Sequence, residues 1–228
     1  KITDSYNGDF NEIKNNLNQC IEAVNLLISD SNLLASAAVG GHLDTRADVT
    51  KHQGDFRKIV EGVNNTLDAV IGPLNVAAEY VDRISKGDIP PKITDSYSGD
   101  FNEIKNNLNQ CIDIMNGLLE ETGNLIDATK AGQLDTRGNA KNFPGGWGTL
   151  VGGVNDLIDA FVNPINVTAE YVDRISKGDI PPKITDSYNG DFNEIKNNLN
   201  QCIEAVNLLI TDAGLLADAA VGGHLDTR

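Results

Sequence analysis

The 228-residue, 24.4 kDa chain has 40% apolar residues, enough for one or two packed domains, but only 5% aromatic residues, which argues against a core built on large rings. Its 18 Lys+Arg stand against 33 Asp+Glu, a formal charge of −15 that repels phosphate backbones and anionic headgroups and so excludes nucleic acid and bare membrane as first partners. No apolar run reaches the length of a membrane span, the opening Lys1-Ile2-Thr3-Asp4-Ser5 lacks the pattern of a signal peptide, and three widely spaced cysteines fit a soluble protein of a reducing compartment better than a disulfide framework.

In chain order, the segment from Lys1 to Cys20 recurs from Lys92 to Cys111 with one change, Asn7 to Ser98, and from Lys183 to Cys202 with none. Cys20, Cys111 and Cys202 are therefore 91 residues apart, and Ala78–Pro91 likewise returns at 169–182. Residues 1–46 and 183–228 differ at four positions: Ser29/Thr211, Ser31/Ala213, Asn32/Gly214 and Ser36/Asp218. The chain reads as two and a half copies of a 91-residue unit, recently duplicated, and its break in mid-unit suggests a longer array.

Each unit divides again. The aromatics Phe10, Phe56, Phe101, Trp147 and Phe192 are spaced alternately 46 and 45 residues apart, and 31 residues beyond each lies a glycine: Gly41, Gly87, Gly132, Gly178 and Gly223. Between these points apolar residues recur at steps of three and four, as in Phe10, Ile13, Leu17, Cys20, Val24, Leu27, Leu34 and Ala38, with Ser31 as the polar exception. A period of 3.5 held over four heptads predicts long helices packed in a bundle. Asp9 with Glu12, Asp100 with Glu103 and Asp191 with Glu194 predict side-chain-capped helix starts, and the glycines predict the stops. Gly72-Pro73 and Asn163-Pro164 fall halfway along two helices and predict a bend or break, with Ala69 and Ala160 losing the hydrogen bonds to their carbonyls.

The connectors alternate between two kinds, Gly87–Gly99 and Gly41–Gly54, and in each an apolar residue follows the glycine by two: Leu43, Ile89, Leu134, Ile180 and Leu225. These read as extended segments pinned to a bundle by one or two apolar side chains.

Helix, Gly-x-apolar connector, then an acidic second helix start, in tandem units of about 45 residues, resembles the HAMP module of bacterial transducers. The stretch Pro73-Leu74-Asn75 through Gly87-Asp88-Ile89 to Gly99-Asp100-Phe101-Asn102-Glu103-Ile104, with pins at Ile89 and Ile93, is similar to the cytoplasmic HAMP tandems of methyl-accepting chemotaxis proteins. The other kind of unit departs from this pattern: its second pin is Ala47 or Gly138, it lacks the proline, and Gly146-Trp147-Gly148 replaces one acidic turn.

The resemblance implies an all-α fold of tandem HAMP units, each a parallel dimeric four-helix bundle, stacked as a coiled-coil rod. The expected boundaries are half a unit at 1–24, divergent units at 25–71 and 117–162, proline-containing units at 72–116 and 163–207, and half a unit at 208–228. A 31-residue helix rising ~1.5 Å per residue would advance such a rod by about 23 Å per unit. The implied function is relay of conformational change between input and output domains of a chemoreceptor-like transducer; the alternative is a structural rod or filament spacer. The implied partners are a second copy of the chain and a downstream kinase or adaptor engaged through other domains, and the implied location is cytoplasmic, including the cytoplasmic part of a membrane-anchored receptor.

No residue pattern points to catalysis, a cofactor or a metal. His42 and His224 recur but Gln133 fills the same slot, and His52 has no partner at metal-ligand spacing. The cysteines lie on the apolar series without an accompanying base and read as packing thiols. Gly40-Gly41 and Gly152-Gly153 lack the lysine of a phosphate loop. Asn64-Asn65-Thr66 and Asn166-Val167-Thr168 match a glycosylation pattern that carries no meaning in a cytoplasmic chain, and Glu120-Glu121 reads as a solvated face.

Overall fold

A computed structural model describes residues 1–224 and 226, so the expected pin at Leu225 lies outside the described residues. Five helices carry the fold: α1 (Asp9–Val39), α2 (Gly54–Ser85), α3 (Gly99–Lys130), α4 (Gly146–Ser176) and α5 (Gly190–Val221), with single 3-10 turns at Val49–Lys51 and Ala140–Asn142. No strand occurs among the described residues. Among the described residues no helix is long and apolar enough to cross a membrane. The chain forms two compact units, Lys1–Met115 and Asn116–Arg228.

In the first unit, Gln19, Glu22, Ala23 and Leu26 of α1 share a cleft with Phe56, and Leu27, Asp30 and Leu34 share another with Ile59, Val60 and Val63. Ascending numbers meet ascending numbers, so α1 and α2 run parallel. The connector between them must then descend, and it does: Leu43 and Arg46 lie beside Asp68 and Ile71, Ala47 beside Asn64, and His52 beside Asp30. The second unit repeats the arrangement, with Leu125, Ile126 and Thr129 of α3 beside Val154 and Ile158 of α4. Farther along α4, Phe161 meets Phe192 of α5 edge to face with ring centroids 5.8 Å apart, so the first half of α4 packs with α3 and the second half with α5.

Backbone geometry sets the helix ends. Ten glycines have positive φ, five at the starts (Gly8, Gly54, Gly99, Gly145, Gly190, φ 53–57°) and five just past the ends (Gly41, Gly87, Gly132, Gly178, Gly223, φ 76–80°). At the ends the residue after the glycine closes a 6→1 bond, as from Asp88 N–H to the Arg83 carbonyl at 3.0 Å, which satisfies a terminal carbonyl. The starts differ from the expected capping boxes. Gly8 and Asn189 occupy the cap positions of α1 and α5 without any side-chain cap bond, and Asp9, Glu12 and Asp191 sit inside the first turn, where their negative charge complements the positive end of the helix dipole instead.

The prolines do not break their helices: α2 runs through Pro73 and α4 through Pro164. Ala69 and Ala160, whose carbonyls lose the proline N–H, are exposed, where solvent can take the place of that bond, while Ile71 and Val162, two residues before the prolines, are buried and hold the helices against their neighbours.

Candidate functional site: a clamp repeated along the connectors

The buried points of the connectors are the second pins. Ile93 and Ile184 are 7% and 8% exposed, Ala47 is 6%, and Gly138 is buried, whereas the first pins Ile89, Leu134 and Ile180 are half-buried and Leu43 is exposed. A residue buried in an extended segment leaves its backbone N–H and C=O without a ladder partner, and both must be satisfied. One side chain does so each time. The Asn109 Oδ1 accepts the Ile93 N–H at 2.7 Å, and its Nδ2 donates to the Ile93 carbonyl at 3.0 Å. Asn200 holds Ile184 and Asn18 holds Ile2 with the same pair of distances. Asn64 holds Ala47 at 3.1 and 2.8 Å, and Asn155 holds Gly138 at 2.8 Å in both bonds. A carboxamide is the one short side chain that offers an acceptor and a donor in this spacing.

One helical turn beyond each asparagine stands an acid, and one residue before each pin stands a base. They pair as Lys1–Glu22, Arg46–Asp68, Lys92–Asp113, Arg137–Asp159 and Lys183–Glu204. In the divergent connectors the base is arginine and does more than neutralise. Arg46 Nε and Nη2 both donate to Asp68 Oδ1 at 2.9 and 2.7 Å, and its Nη1 donates to the carbonyls of Leu43 at 2.8 Å and Thr45 at 2.7 Å. Arg137 repeats all four bonds with Asp159, Leu134 and Thr136. The guanidinium fork thus ties the connector to itself and to the helix, which an ammonium group could not do with one geometry.

In the proline-containing units the helix end has its own ion pair. Arg83 Nε donates to Asp88 Oδ2 at 2.7 Å and Arg174 to Asp179 at 2.7 Å, and this hydrogen bond first, with the charge beside it, holds both carboxylates below the usual aspartate value. Asp48 is also held low, chiefly by the Thr50 hydroxyl and then by its backbone N–H.

Other residues weighed from the sequence fall as follows. His52 is 4% exposed and its Nε2 lies 2.6 Å from Asp30 Oδ2, a hydrogen-bonding contact between residues 22 apart that spacing could not reveal. Glu120 is exposed as expected, but Glu121 is half-buried and accepts the Asn139 N–H. Asn64, read as part of a glycosylation pattern, is a clamp residue. Cys20 and Cys202 are exposed and Cys111 half-buried, because they lie on the stripe that the chain's own helices leave uncovered, while the neighbouring Ile112 and Ile203 are 1% exposed. His42 is exposed, and no group of three or more His, Cys, Asp or Glu among the described residues is arranged to hold a metal.

The asparagines were missed in the sequence although they carry a plain signal. Residues 18, 64, 109, 155 and 200 are spaced 46, 45, 46 and 45 apart, the interval of the aromatics, and asparagine persists where the aromatic, the pin and the proline all change.

No solved structure matches the chain. The HAMP domain family matches residues 1–26, 51–117 and 142–208. The latter two segments span both proline-containing connectors with the helices on either side, and 27–50 and 118–141, which hold most of the divergent connectors, fall outside. Parallel helices joined by a descending, clamped connector, with a family match over more than half of the residues, place this chain in the HAMP domain family, whose members are signalling modules of transducers rather than catalysts.

Proposed function

We propose that the chain is a signal-relay segment of a chemoreceptor-like transducer, acting as a parallel homodimer in which successive units form four-helix bundles. The observation that carries this reading is the state of the heptad stripe. The connectors are fully clamped within one chain, yet Phe10 is 71% exposed, Ile13 54%, Leu17 48%, Ile59 49% and Leu157 58%. Stripes of that size on every helix need a cover, and a second copy supplies the same stripe at the same height. Each bundle then has two close-lying packings, and a bias at one end shifts populations in the next.

Two measurements test it. Sedimentation should show a dimer, and mild oxidation should link like cysteines, since Cys20, Cys111 and Cys202 sit on the uncovered stripe; a stable folded monomer refutes the assembly. For relay, the segment is placed between a sensor and a reporter kinase, and Pro73→Ala is introduced in α2. Restoring the Ala69 hydrogen bond should change output bias while leaving dimerisation intact. Unchanged signalling in an intact dimer favours a spacer that merely sets length.

A further inference from the structure

The two divergent connectors begin alike, Gly41-His42-Leu43-Asp44-Thr45-Arg46 and Gly132-Gln133-Leu134-Asp135-Thr136-Arg137, and the helices before them share Asp9–Ile21 with Asp100–Ile112 residue for residue. The asparagine clamp and the arginine–aspartate pair are also the same in both, so neither of these ties tells one connector from the other. They differ where they are seated. At positions 91 apart, Leu26 becomes Gly117, Asp30 becomes Glu121, Ala47 becomes Gly138, Asp48 becomes Asn139 and His52 becomes Phe143, while Val60 and Val151 stay valine.

These five differences compensate one another. In the first seat the buried imidazole of His52 meets the Asp30 carboxylate, and Leu26 lines the cleft with it. In the second seat Phe143 has no ring nitrogen to offer, and its ring fills the space left by Gly117, where an added Cβ would stand 3.2 Å from Cε1. Glu121, freed from an imidazole and one carbon longer, accepts the Asn139 backbone N–H instead. Gly138 makes room for that reach, since a Cβ there would lie 2.8 Å from Val151 Cγ1 and 3.3 Å from Glu121 Oε1.

We propose that the two divergent connectors are keyed to their own helices, one by the Leu26–Asp30–His52 seat and the other by the Gly117–Glu121–Phe143 seat, so that neither docks on the other's helix. Exchanged, Phe143 would overlap Leu26 and leave the Asp30 carboxylate half-buried without its partner, and His52 over Gly117 would leave the volume of a leucine unfilled. Repeats this similar are prone to pairing with the wrong copy, within a chain or between chains, and discrimination by clash and unpaired charge counters that tendency.

The test is amide hydrogen exchange on the full 228-residue chain, following residues 41–53. His52→Phe alone should lose protection there by roughly tenfold or more, the effect of an overpacked side chain. Transplanting the five second-seat residues together, with Leu26→Gly, Asp30→Glu, Ala47→Gly, Asp48→Asn and His52→Phe, should restore it to within about threefold. Should His52→Phe unfold its unit outright, the reciprocal pair decides: Gly117→Leu should expose residues 132–145 and Phe143→His should recover them. Protection unchanged in the single variants, or no recovery in either seat, overturns the keying. A chain given the first seat in both places should dock both connectors yet refold from denaturant with a lower yield of native protection than the wild type; equal yields overturn the role in register.

Discussion

Replacing Asn109 tests the clamp at the point where it matters most. Asn109→Ala leaves the Ile93 N–H and carbonyl without partners, and Ile93 is only 7% exposed, so water reaches them poorly. Each stranded backbone group costs about 1–3 kcal/mol, and partial access of solvent brings the sum to about 2–4 kcal/mol of local stability. Asn109→Asp is the sharper variant: it keeps the acceptor for the N–H but sets a carboxylate oxygen 3.0 Å from the Ile93 carbonyl, so it should be at least as damaging as alanine. Because a repeat array unfolds unit by unit, a global melting curve would blur the effect, and exchange at the Ile93 amide is the proper assay. It should accelerate roughly thirty- to several-hundredfold, the same free energy expressed as an equilibrium constant. Ile2 and Ile184, held by the same pair of distances, serve as references within the same molecule. Acceleration below about threefold, or an aspartate variant milder than alanine, refutes the idea that the amide holds the connector.

Two further outcomes follow from the helix ends. Gly87→Ala meets no atom within 4 Å but must hold φ +79°, so it should cost about 1–2 kcal/mol through the backbone alone, read as lost protection of residues 84–88, with Gly87→Asn milder. Asp88 and Asp179 are held below the usual aspartate value when folded, so the stability they add is complete above the unfolded value of about 3.9 and is lost as pH falls through the lower folded one. Carboxyl NMR should place both midpoints below that of a free aspartate, and Arg83→Met should return Asp88 alone to it; a midpoint unmoved by that change contradicts the pairing.

The helices were legible because their signals are local or periodic. Heptad steps from Phe10 to Ala38 and the glycines at 41, 87, 132 and 178 gave lengths that the structure reproduces to within a residue or two, since period and positive φ depend on few neighbours. Pro73 misled because the cost of a lost hydrogen bond depends on whether the freed carbonyl is wet, and exposure of Ala69 is a tertiary fact. Asp9 misled for a related reason: a glycine at positive φ reshapes the start so that no side chain reaches the first N–H groups. His52 and Asp30 are 22 residues apart and meet only because the connector turns back along parallel helices, a path that spacing does not encode. The asparagine clamp was within reach, as its interval equals that of the aromatics, but a polar residue inside a helix reads as solvated until a buried backbone segment is laid against it.

The clamp also bears on what can move during relay. Among the described residues, each connector that leads into a helix is tied by the asparagine pair and by a base–acid pair one turn apart, and both ties lie within one chain. Sliding a connector by one residue would break two backbone hydrogen bonds and an ion pair at once, whereas repacking the exposed stripes against a second copy breaks none of them. If relay works by exchange between two bundle packings, connectors should travel with their helices as rigid pieces and the change should fall on the stripe. In a signalling chimera, cross-linking at Cys111 should therefore respond to input while exchange at the Ile93 and Ala47 amides stays constant. Input-dependent loss of protection at those amides, with constant cross-linking, would locate the switch in the connectors and refute repacking of the bundle as the moving step.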